Sequence, residues 1–127
     1  MTIKTMANAL LQHFTESEVR HELRGFPERA VAAVIGLKQE SSAEALKNAV
    51  PEILAFYLPS GVSTDLTTQP PSARLREDLG VDSLTFAEAA FKMEELFRVR
   101  IENVELAEIK TLGELLEFVA QKLFPEV

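Results

Sequence analysis

Apolar residues recur at helical spacing through the N-terminal third of the chain, where they predict two or three short helices. The pattern is divided by a capping box at Thr15 and Glu18, a helix stop at Gly25 and a helix start at Pro27. The last of these helices is expected to reach Gly36. The apolar faces consist of Ile3, Met6, Ala7, Leu10, Leu11 and Phe14, then Val19, Leu23 and Phe26, then Ala30, Val31, Val34 and Ile35.

A further apolar helix face spans residues 41–61, but Pro51 interrupts it. A proline inside a helix loses a backbone hydrogen bond and clashes with the preceding turn. We therefore expect a kink or a new helix start near Asn48, which would serve as N-cap, and a helix end near Pro59. Residues 60–77 are rich in Ser, Thr, Pro and Gly, which predicts a long loop that is either functional, mobile or simply a tolerated surface insertion.

The helical pattern returns over residues 83–99, where the apolar face is wider than a simple two-helix contact needs. A short turn follows, for which Asn103 is the predicted cap. A last helix is expected after a capping box at Thr111 and Glu114, and Pro125 would end it. Because no segment alternates as a strand would, the sequence predicts an all-α protein.

Composition and charge exclude several classes of function. The 127 residues include no cysteine and only two histidines, so neither a thiolate metal site nor a catalytic triad is expected. With no long apolar run and no signal-peptide pattern, we expect a cytoplasmic protein without a membrane span. The net charge of −7 falls in residues 41–127, which carry 15 acids and 8 bases, whereas residues 1–40 carry five of each. This charge disfavours nucleic acid and favours basic partner surfaces, although simple solubility explains it equally well.

The stretch DLGVDSLTF, residues 78–86, places two good N-cap residues side by side, Asp82 and Ser83. If Asp82 is the cap, Ser83 is the first helical residue, and its hydroxyl faces solvent at a helix end that favours anions such as phosphate. No histidine or lysine nearby in the sequence could activate this serine as a nucleophile. From these residues alone, redundant capping is the simpler interpretation.

The longer string DLGVDSLTFAEAAFKMEELFRVRI, residues 78–101, resembles the signature of the acyl carrier protein family, and the resemblance runs without gaps over 75–118. In that family the serine of an Asp-Ser-Leu at the start of the second helix carries 4′-phosphopantetheine. The resemblance implies that Ser83 carries this cofactor and that acyl groups are held as thioesters on its thiol. It also implies that the chain is not itself an enzyme.

The resemblance assigns roles to the residues around Ser83. Asp82 would cap the helix and help to orient the transferase that attaches the cofactor, and Gly80 would allow a tight turn. Leu79 and Leu84 would anchor the turn in the core.

The second helix of the motif would meet basic patches on partner enzymes through Glu88, Glu94 and Glu95. Lys92 and Arg98 dilute this acidity, so the usual acidic partner face is expected to be altered. The wide apolar face could leave space for an acyl chain, or it could let an N-terminal helix pack closely, and both interpretations stay open. The candidates for an acyl pocket are Ala87, Ala90, Phe91 and Met93.

The predicted architecture is a four-helix carrier bundle, with three main helices and one short helix, over residues 41–127. Residues 1–40 would form an additional helical extension that packs as folded helices. The expected partners are a phosphopantetheinyl transferase and acyl synthases or acyltransferases of fatty-acid, polyketide or specialised lipid synthesis. Two alternatives remain: a peptidyl or aminoacyl carrier, and an unmodified carrier-like module that acts through protein interactions.

Overall fold

The computed structural model describes residues 15–58 and 65–124, and these residues are predominantly helical. The predicted helix face from Ile3 to Phe14 lies outside the described residues. Within them the only β-type pairing is a single bridge between Arg74 and Thr111, so the all-α prediction is confirmed. The helices are α1 (Glu16–Glu22), α2 (Glu28–Glu40), α3 (Ala43–Phe56), α4 (Ser83–Phe97), α5 (Asn103–Ala107) and α6 (Leu112–Leu123), with a short 3-10 helix at Leu66–Thr68.

Helix α3 is continuous through Pro51, so the predicted new start at Asn48 is wrong. The helix begins earlier because Ser42 provides the cap: its hydroxyl accepts a hydrogen bond from the Ala45 amide at 3.1 Å. Buried apolar residues, among them Leu46 and Ile53, lie on both sides of the proline. Their packing outweighs the hydrogen bond that Pro51 cannot donate.

Two other predicted boundaries need correction. Helix α2 continues past Gly36 to Glu40, because Leu37 and Lys38 are both buried and extend its packed face. The N-cap of α5 is Glu102 rather than Asn103, and Glu102 forms a reciprocal capping box with Glu105.

Helices α1 and α2 pack on the helices that follow them. Val19 of α1 and Leu37 of α2 belong to the same buried cluster as Ile53 of α3 and Leu96 of α4. At the edge of this cluster the rings of Phe26 and Phe56 stack with their centroids 3.8 Å apart. One apolar core therefore runs across the predicted division at residues 40 and 41.

The described part of the long connection between α3 and α4 is pinned to the core. Ala73, Leu75, Leu79 and Val81 are all buried. The Leu75 amide donates to the Lys110 carbonyl at 2.9 Å, and the Leu112 amide donates to the Ala73 carbonyl at 2.9 Å. This segment therefore holds a defined position beside the start of α4. Among the described helices, none has the length and apolar character that a membrane crossing requires.

Candidate cofactor-attachment site at the start of helix α4

Asp82 caps α4, as the sequence predicted. Its Oδ1 accepts a hydrogen bond from the Thr85 amide at 2.8 Å. This bond, followed by the contact with the Thr85 side chain, lowers the pKa of the Asp82 carboxyl below its ordinary value of 3.8. Gly80 precedes it in a left-handed conformation with φ of 73°, which a residue with a Cβ adopts only with strain.

Ser83 is the first residue of α4, and its side chain is exposed. Since Asp82 already satisfies the Thr85 amide, the serine hydroxyl is left out of the capping interaction. The guanidinium of Arg76 lies beside it, and its Nη2 donates a hydrogen bond to Ser83 Oγ at 2.9 Å. An exposed hydroxyl thus stands at the positive end of a 15-residue helix with an added cation.

The backbone before α4 fixes the position of Arg76. The Val81 amide donates to the Leu75 carbonyl at 2.8 Å, and the Gly80 amide donates to the Arg76 carbonyl at 3.2 Å. Leu79 is 4% exposed and anchors this turn in the core, as predicted. The prediction was wrong for Leu84, which is 70% exposed, because the rotation of α4 directs Thr85 rather than Leu84 into the core.

A cleft of about 530 Å³ opens beside Ser83, between the start of α4, helix α5 and the preceding turn. Phe86, Leu106 and Ile109 give it apolar walls, and Ala87 lies on its α4 side. Sequence reasoning missed Phe86, Leu106, Ile109 and Arg76. For the three apolar residues, the sequence shows only that they fit a packed helix face. For Arg76, it shows only that a basic residue lies seven positions before Ser83.

The four residues predicted to line an acyl pocket do not share one surface. Ala87 lines the cleft beside Ser83, whereas Ala90 and Met93 are buried in the helix packing. Phe91 is 62% exposed and therefore lies on the outer surface of α4.

The predicted partner-binding acids also differ in what they contact. Glu88 is exposed on the same outer surface as Phe91. Glu94 accepts a hydrogen bond from the Ile101 amide at 2.7 Å, and Glu95 lies 3.3 Å from the Lys92 ammonium. Two of the three carboxylates are therefore already engaged within the chain.

The C-terminal half of α4 is attached to the N-terminal helices by two lysines. Lys38 of α2 donates to the Leu96 carbonyl at 2.9 Å, in the last turn of α4. Lys92 of α4 donates to the Glu22 carbonyl, the last residue of α1, at 3.1 Å. Both lysines complement the partial negative charge of a helix C-terminus.

The start of α4 fits a covalently attached phosphopantetheine. The exposed hydroxyl of Ser83 is accessible for a phosphate ester, and the helix N-terminus and Arg76 offer positive charge to a phosphodiester. The adjoining cleft offers apolar surface beside the linkage. When attached, the group supplies a terminal thiol that holds acyl chains as thioesters.

Comparisons with known proteins point to the same chemistry. The family model for the phosphopantetheine attachment site matches residues 61–119. The acyl carrier protein MbtL of Mycobacterium tuberculosis is 38% identical over 69 residues, which cover 54% of this chain and 82% of that relative. The acyl carrier protein of Thermotoga maritima is 30% identical over 83 residues, covering 65% of this chain and 98% of the relative.

A third relative, the acyl carrier protein of Cyanophora paradoxa, is 28% identical over 90 residues, covering 71% of this chain and 87% of the relative. No solved structure gives a significant match. Members of the matched family are carriers of covalently bound phosphopantetheine rather than enzymes. By its signature, its helical fold and these relatives, the chain belongs to the acyl carrier protein family.

Proposed function

We propose that Ser83 is the attachment serine and that the chain carries acyl groups, as thioesters, between enzymes of fatty-acid, polyketide or specialised lipid synthesis in the cytoplasm. The observation that carries this proposal is that Asp82, and not Ser83, caps the start of α4. Asp82 binds the Thr85 amide at 2.8 Å, which leaves the adjacent serine hydroxyl exposed. A serine used as a cap would accept that hydrogen bond itself.

The first partner would be a phosphopantetheinyl transferase, which would supply the catalytic base that takes the proton of Ser83. Later partners would be acyl synthases or acyltransferases with basic patches. One face of α4 is open to them, since Leu84, Glu88 and Phe91 are exposed on it. Glu94 and Glu95 already have contacts within the chain and would contribute less.

We also propose that residues 41–127 form the carrier unit and that residues 1–40 are an addition to it. Helices α3, α4, α5 and α6 supply the three long helices and the short one that a carrier bundle needs. Helices α1 and α2 then act as a support for α4, through Lys38 and the Glu22 carbonyl.

Intact mass spectrometry tests the attachment. Incubation with coenzyme A and a phosphopantetheinyl transferase is expected to add the mass of one phosphopantetheine to the wild-type chain. Ser83→Ala should gain nothing, while Ser72→Ala, which changes an exposed serine of the preceding loop, should gain the full mass. An unmodified wild-type chain would favour the interaction module instead.

The cargo is tested with the modified chain. Acyl loading by an acyltransferase, giving a mass gain that hydroxylamine removes, is expected for an acyl carrier. Loading by an amino-acid-adenylating enzyme in place of the acyltransferase would favour the peptidyl alternative.

The position of the acyl chain is tested by backbone NMR of forms loaded with acyl groups of increasing length. The cleft predicts shifts at Phe86, Ala87 and Leu106 that grow with length. Shifts confined to Phe91, on the outer surface, would contradict the assignment of the cleft.

A further inference from the structure

Arg76 differs from its neighbour Arg74 in the groups that it contacts. Arg74 is bound to Asp78, with Nη2 and Oδ1 3.2 Å apart, and it lies 3.7 Å from Glu77. Its charge is therefore compensated within the turn. Among the described residues, the side-chain hydrogen bond of Arg76 goes to Ser83 Oγ. The guanidinium makes no close ion pair there, although its charge helps to lower the pKa of the neighbouring Asp82 carboxyl.

The direction of this hydrogen bond matters for the chemistry of Ser83. Arginine has only donors, so the serine oxygen must accept from Nη2, and its own proton points elsewhere. A hydroxyl held in this way presents an oxygen of fixed position and a proton that is open to a base from outside. The guanidinium also favours negative charge on that oxygen.

We propose that Arg76 is a positioning residue for the modification of Ser83 and afterwards holds the phosphodiester of the attached group. This inference rests on the proposed function. In the transfer, Ser83 Oγ forms a bond to the phosphorus that carries pantetheine, and the pyrophosphate P–O bond of coenzyme A breaks. Adenosine 3′,5′-bisphosphate leaves with that oxygen, and the serine proton passes to a base of the transferase.

The guanidinium of Arg76 also matches the phosphodiester that the transfer forms on Ser83. A phosphodiester carries one negative charge on its two non-bridging oxygens, which would lie next to the Ser83 Oγ that Arg76 already contacts. Arginine has five donors in a planar fork that match such phosphate oxygens. The position of the arginine is set by the backbone, since Leu75 beside it is buried and donates to the Lys110 carbonyl at 2.9 Å. The side chain therefore needs no rearrangement of the fold to change from a serine to a phosphate partner.

The test compares Arg76→Gln and Arg76→Lys with the control Arg24→Gln. The control makes the same substitution at an exposed arginine between α1 and α2, which does not line the cleft. The first readout is kcat/KM for loading by the transferase. We expect a fall of about tenfold for Arg76→Gln, a smaller fall for Arg76→Lys, and little change for the control.

The second readout is the phosphorus-31 NMR resonance of the loaded protein. In Arg76→Gln the phosphodiester resonance should move away from its wild-type position and toward the value in concentrated salt, whereas Arg24→Gln should leave it unchanged. An unmoved resonance in both Arg76 variants would overturn the inference, whatever the loading rates are. Failure of the proposed function is a different result, because the wild-type chain itself would then not be modified.

Discussion

The two ends of helix α4 differ in solvent exposure and in their contacts with other helices. At the N-terminal end Ser83 is exposed, and Leu84 shows 70% of its surface to solvent. At the C-terminal end Leu96 is fully buried, and its carbonyl binds Lys38 of α2 at 2.9 Å. The difference indicates that burial and Lys38 anchor the C-terminal end, whereas the N-terminal end leaves Ser83 and Leu84 accessible.

The largest expected effect comes from a core residue of α2 at the anchored end. Leu37→Ala removes a fully buried side chain and should lower the free energy of unfolding by about 2–5 kcal/mol. Leu84→Ala, at the exposed end, is the matched control and should change it by less than about 1 kcal/mol. Chemical denaturation followed by circular dichroism measures both.

The NMR resonances of α4 residues test the same comparison locally. If α2 supports α4, these resonances in Leu37→Ala should be lost at the lowered denaturant midpoint that circular dichroism gives for that variant. Retention of the wild-type midpoint by α4 would mean that α2 is an independent unit and would break the contrast between the two ends.

A smaller effect is expected from the charge of Lys38. Burial lowers the pKa of its ammonium to about 8, from an ordinary value of 10.5, and the charge of Arg98 acts in the same direction. Between these two values the unfolded chain binds more protons than the folded chain, so the free energy of unfolding should rise with pH. From pH 8 to 10, the free energy of unfolding of the wild-type chain should rise by on the order of 2 kcal/mol more than that of Lys38→Met.

Denaturant unfolding at closely spaced pH values measures this difference. Parallel pH profiles for the wild-type chain and Lys38→Met would show that Lys38 is not held in an apolar environment at the end of α4.

The smallest expected effect lies at the exposed end, in the cap. The lowered pKa of Asp82 means that its ionised form contributes stability above its ordinary pKa of 3.8, which is lost as pH falls through the lower folded value. Asp82→Asn keeps a capping oxygen but cannot ionise. Thermal unfolding should therefore show the wild-type chain losing stability relative to Asp82→Asn below about pH 4, and a constant difference would contradict this role.

Local signals predicted three caps correctly, because a cap depends mainly on residues within one turn, but they were wrong at Asn48 and Asn103. Thr15, Asp82 and Thr111 each accept the hydrogen bond that the sequence indicated. The same locality explains why the sequence alone points to Ser83 as the candidate attachment serine, since the motif around it is contiguous.

Features set by packing between distant segments were not predictable. Pro51 stays helical because its neighbours are buried, and Leu84 is exposed because the rotation of α4 is fixed by its core contacts. The contact between Lys38 and Leu96 joins residues 58 positions apart, which periodicity alone does not reveal. The contact between Arg76 and Ser83 depends on the turn that brings a residue seven positions earlier back to the helix start.

The central claim is that the exposed end of α4 presents Ser83 for modification. Proteolysis of the loaded wild-type chain, followed by fragmentation mass spectrometry, locates the added group directly. The account predicts that phosphopantetheine is found on Ser83 and on no other hydroxyl residue. Attachment to a different serine or threonine, with Ser83 unmodified, would contradict it.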